Sequence, residues 1–434
     1  MIYSSRPISA SGVLMDRPAG PRLVYFTNRE VIATMWDSEH AEPETSPAGS
    51  VWRPSRRQAL GALAASAAAA AVPMLAGAQS AHASARRRQE LLYIGTWRGT
   101  QVNGAWFDPA DGIMTPFGIV AQVNSSWQAT HPSKPVLYVG SGDAGGTVSA
   151  FRVDRSSGAL DLIGQAKSDS AGTPGGLSYI GIDRRSDTVL AANFAAGLTA
   201  AMPIRHDGGV DAPASVVVHT GSGPHPRQAS PHPHHAVVDP GGRFVLVPDL
   251  GADRVFIHDF DRRTRVLSGT RTYAVNPGSG PRRLLFHPDG RTLYLLNELS
   301  ADLQILSWDP RKGQITLDES LSIVAPDYTG TKSGAELGMS RDGRFLYATS
   351  RGTENAIVVY AVGRGSGRLT LVQRIPSGGL TPWTFSIHRS GRWMLVANQA
   401  SSTVNLFSID RNSGKLTDTG KSMSVPNPDC ITFA

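Results

Sequence analysis

The chain has 434 residues, 40% hydrophobic and 18% charged, the proportions of a folded globular protein rather than of a disordered one. Its net charge of +7 is scattered through Gly-Arg turns, and no stacking or helix-in-groove motif accompanies it, so nucleic acid is not the expected partner. The single cysteine, Cys430, excludes an intramolecular disulfide; it lies in an apolar strand with no activating neighbour in sequence and reads as a buried structural thiol.

In chain order, the first segment reads as an address. Ser55-Arg56-Arg57-Gln58-Ala59-Leu60 precedes an Ala-rich apolar run to Ala78, and Ala81-His82-Ala83 fits a small-x-small cleavage site. A twin arginine ahead of a modestly apolar core resembles a twin-arginine export signal. A membrane anchor is the competing reading, but Ala dominates the run and Pro73 interrupts it, which makes a poor span. Residues 1–50 have mixed polarity and no period: a disordered extension, or sequence ahead of a later start such as Met35. The expected division is therefore an export signal with its extension over 1–83 and one folded domain over 84–434. That domain is expected in the periplasm or outside the cell, monomeric, with no stable membrane span after cleavage.

Beyond residue 90 a strand–turn–strand unit recurs. Its fullest copy is Pro281-Arg282-Arg283-Leu284-Leu285-Phe286-His287-Pro288-Asp289-Gly290, followed by Arg291-Thr292-Leu293-Tyr294-Leu295-Leu296-Asn297-Glu298. Other copies run from His131, Asp239, Arg341 and His388, with a worn one from Asp183. The histidines His131, His287 and His388 open turns and read as caps. An alternating strand and an Asp…Gly turn follow each copy, as in Leu303-Gln304-Ile305-Leu306-Ser307-Trp308-Asp309 before Lys312-Gly313. Period-two alternation predicts half-buried strands. Equivalent points fall near Asp108, Asp154, Arg205, Asp261, Asp309, Gly363 and Asp410, seven units of 46 to 56 residues. Units of this length with four short strands predict an all-β fold, a seven-bladed β-propeller with four-stranded antiparallel blades. The ends are complementary. Asp429–Ala434 matches only the first strand of a unit, and Leu91–Thr96 matches the second. One blade should therefore be closed by one C-terminal strand and three N-terminal strands, which removes the exposed sheet edges.

The copies differ just before the innermost strand and just after the second. Before the inner strand stand Pro231-His232-Pro233-His234-His235, Gly280-Pro281-Arg282-Arg283, Gly334-Ala335-Glu336 and Leu380-Thr381-Pro382-Trp383. After the second stand Asp249, Asn297-Glu298, Ser350-Arg351-Gly352 and Asn398-Gln399. One mouth of the ring thus gathers polar groups from consecutive blades, the pattern of a ligand site. The first two blades contribute little; their loops, such as Thr173-Pro174-Gly175-Gly176, lack catalytic groups.

With Tyr93-Ile94-Gly95-Thr96, the Pro-His-x-His segment, Gly-Pro-Arg ahead of Phe-His-Pro-Asp-Gly, Asn-Glu-Leu and Ser-Arg-Gly, residues 90–434 resemble the seven-bladed lactonase family. That family contains 6-phosphogluconolactonase-like and 3-carboxymuconate cyclase-like enzymes. The resemblance implies a His, two Arg and a Glu as the site, which fall on His234, Arg282, Glu298 and Arg351. Where the family often has His after the Pro-Arg pair, this chain has Arg283. His232, His235, Glu336 and Asn398 are candidate substrate contacts, with a structural role the competing reading for the two histidines.

Opening a lactone needs a base for water, a donor for the oxyanion and an acid for the leaving alkoxide. A neutral His234 can be the base. Arg282 and Arg351 can grip a carboxylate or phosphate, or stabilise the oxyanion. Glu298 can orient the histidine or donate the proton. Arg282 and Glu298 can equally be a structural ion pair. Cycloisomerisation of an unsaturated acid would use the same groups, and a non-catalytic propeller would use the mouth to hold a ligand or protein. The expected partner is a small anionic or lactone substrate. His225, His232, His234 and His235 invite a metal, but Pro233 predicts an extended segment in which His235 turns away from His232 and His234. Neither a metal nor another cofactor is expected.

Overall fold

The computed structural model describes residues 89–143, 145–169 and 176–434. The twin-arginine segment, the small-x-small site and residues 173–175 lie outside the described residues. No helix among the described residues is long and apolar enough to cross a membrane.

Seven four-stranded antiparallel sheets follow one another around a ring. The first blade has the order β28 (Pro428–Phe433), β1 (Glu90–Thr96), β2 (Val102–Phe107), β3 (Met114–Ala121). It is the closure expected from the ends of the sequence, with Gly95 paired to Cys430 and Leu92 to Phe433. The inner strands of the other blades are β4 (Trp127–Thr130), β8 (Leu177–Asp183), β12 (Val237–Val238), β16 (Pro281–Phe286), β20 (Gly334–Met339) and β24 (Pro382–Ile387). Around the centre β16, β20, β24, β28, β4 and β8 neighbour one another in turn, and blade four meets β16 through its second strand, Phe244–Asp249.

Each of seven apolar clusters is shared by two adjacent blades. One joins Tyr294, Leu296 and Leu303 to Leu346, Ala348 and Val358; another joins Leu92 and Phe107 to Leu395 and Leu406 across the closure. No blade has a core of its own. The prediction of half-buried strands is therefore corrected for the second strands. Residues 244–249 and 393–398 are buried throughout, because a blade is packed on both faces. The outermost strands of the fourth and fifth blades are instead mostly exposed along their length.

The repeated tyrosine stitches blades together. Tyr93, Tyr138, Tyr294 and Tyr347 donate their hydroxyls to the carbonyls of Gly158, Gly208, Gly367 and Gly414, each in the following blade, at 2.7–3.1 Å. Gly414 has φ +72° and lies against Phe345; a Cβ there would come within 2.4 Å of that ring, so both conformation and space require glycine.

The feature that builds the site is a bulge. Pro281 pairs with Asn297 and Arg283 with Leu296, leaving Arg282 extra. The same slip occurs at Pro382/Thr384, Leu177/Tyr179 and Gly334/Leu337, and in the closing blade opposite Gly95/Thr96. Two residues then oppose one, the local device by which a strand re-aims side chains. In blade four the inner strand is cut to Val237–Val238, because Pro231 and Pro233 have no N–H to donate. The chain stays extended there through the Pro233–Asp249 bridge and the His234 N–H on the Pro248 carbonyl at 2.9 Å.

Candidate active site

Glu298 is the hub. It follows β17 (Thr292–Asn297), is 1% exposed, and is met by cations from three blades. Arg227 and Arg351 both reach Oε1 at 2.7 Å, Arg282 Nε donates to Oε2 at 2.8 Å, and His234 Nε2 lies 3.9 Å from Oε2. Burial alone pushes a carboxyl up, but Arg351, Arg227 and Arg282 outweigh it and hold Glu298 well below the usual carboxylate range. The proton-donor role is thereby corrected: a carboxylate so held has no proton to give near neutral pH.

Arg282 is fully buried. Besides Glu298, its Nη1 donates to the Ala335 carbonyl, while Nη2 has no partner. Burial and the adjacent Arg283 press its pKa down to about 9, which leaves it charged at neutral pH. Arg351 follows β21 (Phe345–Ser350) and is fixed by Nε donating to Ser333 Oγ at 2.9 Å. Trp383 closes this side, its ring centroid 4.3 Å from the Arg351 guanidinium carbon and 5.8 Å from that of Arg282. The ring spreads the cost of holding two cations together, an attraction of roughly 0.5–2 kcal/mol each.

His234 is buried, meets Phe194 edge-on at 5.8 Å, and has no partner at Nδ1. Burial, reinforced by Arg282, holds its pKa well below that of a free histidine, so the imidazole is neutral. His232 is spoken for. Its ring stacks on Phe194 at 4.3 Å, its Nδ1 bonds the Phe194 carbonyl at 2.8 Å, and its N–H is held by Asp249 at 2.7 Å. The structural reading of His232 is the one its contacts support. His235 turns to the other side, edge-on to Tyr179 at 4.1 Å, as the extended segment predicts. His232 and His234 share Phe194 while His235 faces Tyr179, and among the described residues no three His, Cys, Asp or Glu converge as metal ligands.

Glu336 joins a neighbouring group through Arg283 at 3.0 Å rather than the Glu298 cluster. Asn398 contributes nothing to either. Its Nδ2 is spent on the Ser377 carbonyl and Asn405 Oδ1, at 2.9 and 3.1 Å, tying down the loop of its own blade.

Arg227 escaped sequence reasoning. It lies on a short 3-10 helix, Pro226–Gln228, in the long connection between β11 (Ser215–Val218) and β12, outside the repeat. Gln228 pins that turn by donating to the Leu250 carbonyl and to Asp253, at 2.8 and 2.6 Å. The available signal was the length of this connection, with His225-Pro226-Arg227 at its centre.

The geometry is a largely buried cluster of three arginines, one ionised carboxylate and one neutral imidazole. A family model described as "Lactonase, 7-bladed beta-propeller" matches residues 91–433. The chain belongs to the seven-bladed β-propeller lactonase family. The 6-phosphogluconolactonase of Bacillus subtilis is 31% identical over 311 residues, 71% of this chain and 87% of that one. That of Serratia proteamaculans is 28% identical, covering 76% and 94%. Among solved structures, a periplasmic gluconolactonase of Pseudomonas aeruginosa superposes with a TM-score of 0.74 at 31% identity, covering 80% of this chain and 99% of that chain. The lactonase fold thus accounts for essentially the whole described chain.

Proposed function

We propose that this chain hydrolyses the ester of a small lactone at the Glu298 cluster. The observation that carries the reading is a neutral, buried His234 within 3.9 Å of a carboxylate that three arginines keep ionised. A neutral imidazole can take a proton from water. Glu298 then stabilises the imidazolium, as an ionised carboxylate beside a histidine does. Water oxygen bonds to the lactone carbonyl carbon, and the carbonyl electron pair moves to oxygen, where Arg282 Nη2 is free to donate. Collapse breaks the ring C–O bond, and His234 returns its proton to the leaving alkoxide, giving a hydroxy acid. His234 serves as base and then acid, which replaces the proton-donor role first considered for Glu298. Arg351 and Arg227 hold Glu298 and bias the rim toward anions.

Export is part of the proposal. The Arg56-Arg57 segment supports it, and so does the likeness to a gluconolactonase that is itself periplasmic.

The test is proton release by residues 84–434 against a panel of aldonolactones and muconolactones, with and without chelator. Hydrolysis of at least one lactone, abolished in His234→Ala/Arg282→Ala and indifferent to chelator, is expected. No turnover across the panel, or equal turnover by the double variant, would sink the reading.

A further inference from the structure

A second layer of side chains lies beside the first, one residue further along the inner strands. Trp127 on β4, Tyr179 on β8, His235 ahead of β12, Arg283 on β16, Glu336 on β20 and Thr384 on β24 come from six consecutive blades. They are linked side by side. Thr384 Oγ1 donates to Glu336 Oε2 at 3.0 Å, and the same oxygen holds Arg283 Nη2 at 3.0 Å. The Arg283 guanidinium carbon lies 4.1 Å from the Trp127 centroid and 5.1 Å from that of Tyr179.

Donors and acceptors do not balance in this layer. Glu336 is spent, with Oε1 accepting the Leu337 N–H and Oε2 taking Thr384 and Arg283. Arg283 is 3% exposed, yet Nε and Nη1 have no partner. Buried guanidinium donors without an acceptor are costly, and such exceptions call for a ligand or water. The aromatic rings hold the guanidinium in place, so its unused donors are fixed before anything binds. Arg227, Arg282, Arg283 and Arg351 against Glu298 and Glu336 leave the mouth two positive charges in surplus, which favours an anion.

We propose that Arg283 anchors a second subsite in the central channel, taking a carboxylate or phosphate group of the substrate remote from the ester that is cleaved. The lactonase reading supplies the identity of the substrate; the subsite itself rests on Arg283 and its surroundings.

Two measurements on residues 84–434 test it. Binding of inorganic phosphate and of gluconate is followed by calorimetry in wild type, Arg283→His and Arg283→Lys. Turnover is compared between neutral glucono-1,5-lactone, its 6-phosphate and a carboxylate-bearing muconolactone. Arg283→His should weaken the anion that binds, and cut kcat/KM for the matching charged lactone, by about 10- to 100-fold. The neutral lactone should change by less than about threefold. Arg283→Lys, which keeps charge but loses the fork, should fall between, and it provides the readout if the histidine variant does not fold. Phosphate binding without gluconate binding assigns a phosphate, and the converse a carboxylate. Equal losses on charged and neutral lactones, or no Arg283-dependent binding of either probe, would overturn the subsite in favour of ordered water alone. Arg283-dependent anion binding without any lactone turnover would sink the hydrolase reading and leave the subsite standing. Turnover that depends on His234 but not on Arg283 would do the reverse.

Discussion

Blades five and seven begin alike and end differently. In both, a proline pairs with the last residue of the second strand, Pro281 with Asn297 and Pro382 with Asn398, and a bulge follows. In both, that asparagine spends its Nδ2 inside its own blade, on Asp302 in one and on Ser377 and Asn405 in the other. The residues the bulge presents then diverge: Arg282 and Arg283 in blade five, Trp383 and Thr384 in blade seven. The next residue diverges too, Glu298 against Gln399. The backbone sets where a side chain stands, and a few substitutions on it decide whether it reacts, supports or merely packs.

The severest way to break that comparison is to remove what every blade shares. Deleting residues 430–434 takes most of β28 away and opens the apolar seams on both sides of the first blade. The expected result is an aggregating protein without a cooperative melt; a monomer with the wild-type Tm would contradict closure. Next comes the divergent hub. Glu298→Gln leaves two buried arginines and the half-buried Arg227 facing an uncharged amide and should cost about 3–5 kcal/mol of stability. Turnover should fall at least about 10²-fold, because the imidazolium loses its partner. Chemical denaturation and steady-state kinetics check both.

Asn398→Ala sharpens the distinction from the other side. It strips the ties to Ser377 and Asn405 and should cost about 1–3 kcal/mol with kcat unchanged. A selective loss of kcat would return Asn398 to the site.

Acid gives a milder, graded test. Glu298 and His234 both have folded-state pKa values below their unfolded ones, so the unfolded chain binds more protons. Stability is full above the unfolded values and is lost as pH falls, first below about 6.5 through His234, then below about 4.5 through Glu298. The opposite pH dependence concerns Asp429, the blade-one counterpart of Arg282 and Trp383. It is fully buried with neither oxygen partnered, and burial raises its pKa to about 8. Its folded-state value is raised, so it weakens the fold as pH climbs from about 4 to 8. The Tm of Asp429→Asn relative to wild type should therefore rise across that range, and a constant difference would contradict the burial argument.

The fold was legible because the repeat states its period and its ends state the closure. Burial was less so: alternation in sequence implied one wet face, whereas the stacking of blades buries both. In the candidate cluster, Glu298, Arg351 and Arg282 stood out in the sequence as departures from their sibling blades. Asn398 was misplaced although Asn193, Asn297 and Asn398 end the second strands of three blades, a recurrence that marks scaffold. Arg227 was invisible to a comparison of repeats, because it arrives on an insertion that has no sibling. The proton-donor role of Glu298 was undone by electrostatics that no single blade contains, since its three arginines come from three different parts of the ring.

The central claim is that His234, held neutral, is the base. The dependence of kcat/KM on pH, measured for wild type and His234→Ala on the best lactone, tests it most directly. Wild type should be flat from pH 8 down through 6.5 and decline only below that, since its pKa lies well under the free value of 6.5. His234→Ala should lose about 10²- to 10⁴-fold at the plateau and the acid limb with it. An unchanged plateau, or the same limb in the variant, would place the base elsewhere.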